Sequence, residues 1–387
     1  MRRLTLYFSV VGVLLTSTVA RAATLQPLNF VSTSCKLGTS NGTQALPWPG
    51  CLIQRAIAAA TGGDSVVVPD GYWSVTTALS NTTGNFTLQG QSTNARIVFT
   101  RAGQWILGTQ SSLTNNVKIS GLTFDGSQST SNASPVVIQN CVGCSVSGNT
   151  VLGVPNPSLA ALQFFGGANT SINANAFMAG PSSGGAQLQL NALGTPSTPV
   201  PLNNGYEIAG NYFDSAGILI IGMSNIRIHD NSLVNTTLQN ANGISFASAY
   251  NGTSRNISIT NNSLIGTNNF VAISGVPEDA GGQGFIDGLN ISGNVLDATQ
   301  AFVAVNTYLT GCLSTCTTIT RSSDVVVSNN FLKSAWGPST IELAGGNGAY
   351  VQNVTVQGNI LVGVGTNVIH TDANTLNMNK ANNLGAP

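Results

Sequence analysis

Charge is the scarcest feature of this sequence. Only 7% of its 387 residues are charged, and 13 basic and 13 acidic side chains cancel to a formal net charge of zero. A nucleic-acid-binding surface needs a field of Lys and Arg, so the composition argues against nucleic acid as a partner. Aromatic residues are also few, at 6%. They form no row that would offer sugar rings a stacking platform.

Long apolar runs are absent after the N-terminal segment. Arg2 and Arg3 precede an apolar run over residues 4–15, and Ala20-Arg21-Ala22 follows as a small-x-small cleavage site. This order is typical of a Sec-type signal peptide, predicted here as residues 1–22. The run is too short for a good membrane span. We therefore expect a secreted protein, extracellular or periplasmic, with no membrane partner after signal removal.

Cysteine is limited to six residues, all in the exported part of the chain. An even number of cysteines in an oxidising compartment indicates disulfides. Pairing each cysteine with its nearest neighbour gives Cys35–Cys51, Cys141–Cys144 and Cys312–Cys316, although the spacing leaves other connectivities open. A CxxC pair could instead be redox-active or half of a metal site. No second CxxC and no nearby His completes a zinc site.

Lys and Glu are scarce, whereas Gly, Asn, Ser and Thr are abundant, which favours turns and strands over helices. A repeat is present when the chain is aligned on one Asn. Each unit has Ile or Val three positions before this Asn and an apolar residue within three positions after it, and successive anchors are 20 to 36 residues apart. The anchors are Asn149, Asn175, Asn211, Asn231, Asn262, Asn294, Asn330 and Asn359.

A second short alternating run lies between successive anchors, for example at 217–221, 243–247 and 301–305. Each period therefore holds at least two strands, and no helical pattern separates them, which argues against a doubly wound sheet or a TIM barrel. Short strands with a period of about 30 residues predict a solenoid, namely a right-handed parallel β-helix whose coils stack about 4.8 Å apart. The recurring Asn would then form a buried ladder of amides.

The N-terminal end of such a stack needs a cap. An apolar helical face predicts a capping helix over about 51–61, which Gly62-Gly63 ends. The residues of that face are Leu52, Ile53, Ala56, Ile57 and Ala60.

The stretch AIAAATGGDSVVVPDGYW (56–73), followed by the Asn-anchored coils, resembles the first turn and body of the pectate-lyase-like right-handed β-helix superfamily. The resemblance implies this all-β fold over residues 23–373, with 374–387 as a C-terminal tail or cap. It implies no single activity, because the superfamily contains lyases, hydrolases, epimerases and non-enzymatic proteins.

Ionisable residues concentrate in the stretch NIRIHDN (225–231). Its two Ile side chains face the core, so Arg227 and His229 face outward on one strand. When the units are aligned on their Asn, residues at the same position stack from coil to coil and form a column. Glu207 lies in the column of Arg227, one coil earlier, close enough for an ion pair. Asp230 follows His229 directly, and Asp214 is a further carboxyl that its coil could bring to this patch.

Three long insertions precede strands of the repeat, at 192–205, 275–288 and 307–323. Long loops on one edge of a solenoid usually build the wall of a groove. The strand that carries Arg227 and His229 is then the expected floor of a binding cleft.

A lyase acting on a uronic-acid polysaccharide needs a cation to neutralise the substrate carboxylate and a base to remove the adjacent proton. Arg227 and His229 would supply these, with Glu207 orienting Arg227. Resemblance to β-helix lyases that use calcium adds a candidate calcium site, made of Glu278, Asp279 and Asp287.

Other functions stay open alongside the lyase. A glycoside hydrolase would need two carboxyls, and Glu207, Asp214 and Asp230 are the clustered ones. A non-catalytic glycan-binding or adhesion module fits the low charge, the few aromatic residues and the absence of the family's pectate-lyase and polygalacturonase signature motifs. The same side chains could also be only a surface ion pair and a turn Asp. Each enzymatic or binding function implies a polysaccharide partner, and we expect a monomer.

Overall fold

The computed structural model describes most of the chain after the predicted signal peptide. The described residues are 22–130, 132–156, 159–178, 186–193, 203–235, 243–247, 253–266, 271–274, 285–297, 305–306, 309–310, 321–333, 340–343, 345–346, 350–362 and 368–385. In this part the chain winds through three long parallel sheets of 15, 13 and 11 strands, with one α-helix. The predicted right-handed parallel β-helix is confirmed.

Sheet 1 contains the strands that end just before the ladder Asn of each coil. Its main path runs through Thr24–Leu25, Ser65–Val68, Thr87–Gly90, Lys118–Ser120, Ser145–Ser147, Gly167–Asn173, Asn203–Ala209, Ser224–His229, Thr253–Thr260, Phe285–Ser292, Arg321–Ser328, Tyr350–Gln357 and Thr375–Ala381. Two short strands extend it beside this path, Thr114–Asn115 and Cys141–Val142.

Sheet 2 begins on the other side of the ladder turn. Its strands are Trp48–Pro49, Gly71–Val75, Ala95–Arg101, Thr123–Ser129, Thr150–Leu152, Ala176–Met178, Tyr212–Asp214, Ser232–Asn235, Ser263–Gly266, Val295–Asp297, Phe331–Lys333, Ile360–Val362 and Leu384–Gly385.

Sheet 3 closes each coil before the chain returns to sheet 1. Its strands are Ala78–Asn81, Gln104–Leu107, Val136–Gln139, Leu162–Phe165, Ala186–Asn191, Gly217–Ile221, Ile244–Ala247, Val271–Ser274, Val305–Asn306, Ile341–Leu343 and Ile369–Thr371. A separate pair of strands joins Leu309–Thr310 to Gly345–Gly346.

The core is built from columns of aliphatic side chains that repeat from coil to coil. In sheet 1 the residue three positions before each of the eight predicted ladder Asn residues points inward and is at most 1% exposed. Because strand residues alternate between two faces, this column forces its neighbours outward. In sheet 2 the rings of Phe177 and Phe213 stack with centroids 4.7 Å apart. The inward columns therefore fix which side chains the solenoid presents to solvent.

The Asn ladder is present, and all eight predicted amides are 1–2% exposed. Each Asn donates from its backbone N and from its side-chain Nδ2 to Oδ1 of the Asn in the next coil, at 2.9–3.0 Å between Asn149 and Asn359. Asn383 adds a further rung, which accepts from Asn359 at 2.8 Å. Residues 375–381 and 384–385 thus form strands of another coil rather than a loose tail.

The N-terminal cap is the helix Cys51–Ala59, whose predicted apolar face is buried. Two of the three expected disulfides are formed: Cys35–Cys51 fastens the start of this helix, and Cys141–Cys144 closes a turn before a sheet 1 strand. Cys312 and Cys316 lie outside the described residues. Among the residues described, no helix is both long and apolar enough to cross a membrane.

Candidate functional site

The strand Ser224–His229 places the charged stretch on the outer face of sheet 1. Ile226 and Ile228 are fully buried, so the side chains between and beyond them face solvent. The register pairs Glu207 with Arg227 at their Cα atoms, as the column alignment predicts. Uncharged residues hold the same outward positions in the adjacent coils, namely Ser171, Asn173, Ser258 and Thr260.

Four ionisable side chains form one continuous chain of contacts. Glu207 Oε1 lies 3.4 Å from Arg227 Nη2 and 3.2 Å from His229 Nε2. The other ring nitrogen, Nδ1 of His229, lies 2.8 Å from Asp230 Oδ2. The imidazole is therefore held between two carboxylates. We call Glu207, Arg227, His229 and Asp230 the charged cluster.

Backbone geometry explains why Asp230 can turn back onto His229. Asp230 has φ 56°, in the left-handed region that Asn, Asp and Gly tolerate best. The same position, directly before the ladder Asn, holds Gly210 one coil earlier and Asn261 one coil later, both also with positive φ. The ladder turn thus requires a residue of this kind, and in this coil the residue carries a carboxylate.

The environment of His229 favours its protonated form. The hydrogen bond to Asp230 is the largest cause that raises the pKa of His229 above 6.5, and the contact with Glu207 raises it further against the opposing effect of partial burial. An imidazole whose Nδ1–H bonds a carboxylate presents Nε2 as its acid–base atom. Only 27% of the His229 side chain is exposed, whereas the Arg227 side chain is 69% exposed.

The structure does not bring Asp214 into this cluster. Asp214 lies beyond the ladder turn, at the end of the sheet 2 strand Tyr212–Asp214, where it accepts a hydrogen bond from Ser215 Oγ at 3.1 Å. Asp214 pairs in register with Met178 and Val234, which stand at the same position after the ladder Asn in the adjacent coils. The turn nevertheless places that column on another face of the solenoid.

The candidate calcium ligands fall mostly outside the described residues, namely Glu278 and Asp279. Asp287 is described, and it faces Arg255 Nε at 3.6 Å and accepts a hydrogen bond from Ser323 Oγ at 3.0 Å. Within the described ranges, no group of three or more His, Cys, Asp or Glu side chains could hold a metal ion. The calcium site stays a prediction.

Two of the long insertions lead into sheet 1, where the described chain resumes at the first residue of a strand. These first residues are Asn203 and Phe285. His229 is the last residue of its strand, about 16 Å from the start at 3.3 Å per residue. The insertions themselves, 194–202, 275–284 and 311–320, lie outside the described residues. The part of the cluster nearest to these ends is Arg227 rather than His229.

A cavity of about 280 Å³ adjoins the cluster on this side. It is lined by Asn169, Thr170, Ser171, Gly205, Tyr206, Glu207, Asn225 and Arg227. The amides of Asn169 and Asn225 were not among the predicted site residues. Their signal in the sequence is a Gly, Asn or Asp six positions before the ladder Asn, a second column beside the first.

Comparisons with known proteins give a likeness of fold. No protein-family model matches the chain, and no curated protein matches it. A surface adhesin of Streptococcus pneumoniae, PfbA, superposes with a TM-score of 0.60 at 16% identity, covering 94% of this chain and 91% of that one. An exopolygalacturonase of Yersinia enterocolitica gives 0.62 at 12% identity, covering 94% and 78%. One from Thermotoga maritima gives 0.58 at 15%, covering 93% and 91%.

At such low identity these likenesses carry the fold and nothing further. The chain therefore shares with these proteins its overall fold, a right-handed parallel β-helix.

Proposed function

We propose that this protein is secreted and, as a monomer, binds an extracellular uronic-acid polysaccharide at the charged cluster, which it cleaves by β-elimination. The observation that carries this proposal is the contact chain from Asp230 through His229 and Glu207 to Arg227, on a face whose adjacent positions are uncharged. A histidine whose pKa is perturbed by neighbouring carboxylates, beside a cavity, is a common mark of a functional site.

Each residue of the cluster has a role in this reaction. Arg227 makes only a long contact with Glu207 and can turn to the substrate carboxylate, lowering the cost of charge on the adjacent carbon. His229, oriented by Asp230, takes the proton from that carbon through Nε2 once Glu207 moves aside. The C–H electron pair becomes the new C=C bond, the bond to the glycosidic oxygen breaks with its electrons, and that oxygen takes up a proton from solvent water.

The fold likeness supports a polysaccharide substrate. Two of the similar structures are exopolygalacturonases, whose name denotes action on a uronic-acid polymer. The chain also forms disulfides, which are typical of proteins outside the cytoplasm.

The test incubates the purified protein, with and without calcium, on a panel of uronate and neutral polysaccharides. Ultraviolet absorbance of unsaturated ends and total reducing ends are followed together. We expect rising absorbance, at a rate that increases as pH rises through the pKa of His229, which lies above 6.5. His229→Ala should lower the rate by on the order of 100-fold or more. Ser292→Ala, in the same column two coils away, should not change it.

Hydrolysis is the competing chemistry, because Glu207 and Asp230 place carboxylates on opposite sides of one imidazole ring. Inverting hydrolases use two separated carboxyls, one as acid and one as base. Reducing ends that appear without absorbance would overturn β-elimination and assign these two residues the catalytic roles.

A non-catalytic adhesion module is the candidate from another class. The likeness to a streptococcal surface adhesin favours it, as does an open face on which Arg227 is already paired. No product from any polymer, together with measurable binding of one of them, would establish this function instead.

A further inference from the structure

A column of left-handed residues runs along the outside of sheet 1. These residues lie six positions before the ladder position of each coil and have φ between 50° and 78°. They are Asn85, Asn116, Gly143, Asn169, Gly205, Asn225, Asn256, Gly288, Asp324, Asn353 and Asn377. We call this set the outer column. It is occupied by the residue types that adopt this backbone region at least cost.

Side chains of the outer column bond to one another wherever consecutive coils both carry one. Asn116 Nδ2 donates to Asn85 Oδ1 at 3.0 Å, and Asn256 Nδ2 donates to Asn225 Oδ1 at 2.9 Å. Similar bonds join Asp324 to Asn353 and Asn353 to Asn377. The regular direction is donation from each Nδ2 to the oxygen of the preceding coil.

Gly205 interrupts this second ladder beside the charged cluster. It stands between Asn169 and Asn225 and has no side chain to continue the ladder. A Cβ at position 205 would lie 2.9 Å from Asn169 Oδ1, so the amide of Asn169 already reaches over the gap. The Nδ2 of Asn225 has no side-chain acceptor in the preceding coil. The gap thus offers one acceptor and one donor, and the cavity of about 280 Å³ opens there.

We infer that the gap at Gly205 is a subsite for the free hydroxyl groups of a sugar ring. This inference rests on the proposed function, and it adds that the bound sugar keeps unsubstituted hydroxyls next to the carboxylate that meets Arg227. A hydroxyl both donates and accepts, so it can bond Asn169 Oδ1 and Asn225 Nδ2 together. A carboxylate only accepts, and in the gap it would face the oxygens of Asn169 and Glu207.

Gly288 provides a matched gap elsewhere in the outer column. It also has positive φ, and a Cβ there would lie 3.3 Å from Asn256 Oδ1. The outward neighbours two positions further along these strands are Ser258 and Asn290, which are uncharged, whereas the following coil carries Asp324 in the outer column. A substitution at Gly288 therefore repeats the backbone change of Gly205 away from the cluster.

The experiment compares wild type, Gly205→Asn and Gly288→Asn by calorimetric titration with oligogalacturonate. Asn occupies this position in other coils, so both variants should fold, and thermal unfolding verifies this for each. The new side chain at 205 would fill the gap and take up the bonds of Asn169 and Asn225. We expect about tenfold weaker binding for Gly205→Asn, the loss of one to two hydrogen bonds, and unchanged binding for Gly288→Asn.

A second arm uses oligogalacturonate acetylated on its ring hydroxyls, which should bind wild type about as weakly as Gly205→Asn binds the free form. Equal affinity of all three proteins for the free oligomer would overturn the subsite and leave the proposed function standing. Equal affinity of wild type for the free and acetylated oligomers would also overturn it. No binding by wild type would overturn the proposed function and the subsite with it.

Discussion

At the scale of single residues, the titration of His229 tests the geometry of the charged cluster. Its hydrogen bond to Asp230 is the largest cause that raises its pKa above 6.5. Asp230→Asn removes the carboxylate but keeps a residue suited to positive φ, as Asn261 is one coil later. We expect the pKa of His229 to fall toward 6.5 in this variant, as followed by imidazole C–H chemical shifts.

Asp230→Gly is the control for this titration, since Gly210 holds the same position one coil earlier. Both variants should give the same lower pKa, and an unchanged pKa in both would show that Asp230 does not bond the ring.

The raised pKa of His229 also predicts a pH dependence of stability. The contribution is fully present below 6.5, the unfolded value, and is lost as pH rises through the folded pKa. His229→Gln should therefore lower the unfolding temperature more near pH 6 than near pH 9.

At the scale of elements, the inner Asn ladder should be a main source of stability. The amide of Asn231 donates to Asn262 Oδ1 and to Ile208 O, both at 2.9 Å, and accepts from Asn211. Asn231→Ala removes these buried bonds and also the acceptor of the Asn211 backbone N–H, and each buried group left without a partner costs about 1–3 kcal/mol. We expect the free energy of unfolding to fall by about 2–4 kcal/mol, measured by chemical denaturation.

Asn290→Ala is the matched control, because Asn290 lies on the outward side of sheet 1, in register with Ser258. Its loss should change the free energy of unfolding by less than about 0.5 kcal/mol. Similar losses at both positions would mean that the buried amides contribute no more than surface ones.

The stacking of the coils can be predicted from the sequence because its signal is periodic. Aligning the units on one Asn places Glu207, Arg227 and Ser258 in a single column, and the strand register pairs these residues. The alternation around Ile226 and Ile228 likewise gives the outward direction of the cluster. Because residues one period apart in the sequence stack on adjacent coils, a correctly identified period predicts which residues are neighbours in space.

Features that depend on turns and side-chain rotamers are harder to predict. Asp214 aligns with its counterparts in the adjacent coils, but it follows the ladder turn and therefore lies in sheet 2 rather than beside the charged cluster in sheet 1. Asn383 lacks the aliphatic residue three positions earlier, where Lys380 stands exposed in its coil. Glu207 Oε1 contacts both Arg227 and His229. These contacts depend on the side-chain rotamer of Glu207, and aligning the repeats predicts only its position.

At the scale of the whole molecule, the predicted signal-peptide cleavage site lies next to the first strand of the solenoid. The strand Thr24–Leu25 begins sheet 1, and just before it the backbone N of Ala23 donates to Asp64 Oδ1 at 2.7 Å. Asp64 is 7% exposed, and hydrogen bonds from the backbone N–H of Thr61 and then of Ala23 lower its pKa. Cleavage after Ala22, as the sequence predicts, turns this amide into an α-ammonium facing a carboxylate.

We therefore expect N-terminal sequencing of the secreted protein to begin at Ala23, and the pKa of this α-amino group to exceed its usual value of about 8. A raised pKa stabilises the fold fully below that value, and the effect is lost as pH rises through the folded pKa. A chain with one extra Met before Ala23 should unfold at a lower temperature near pH 7. Asp64→Asn should abolish this difference, since the ammonium then has no carboxylate to meet. A difference that survives in Asp64→Asn would assign the effect to chain length, and the ion pair would have no part in anchoring the first coil.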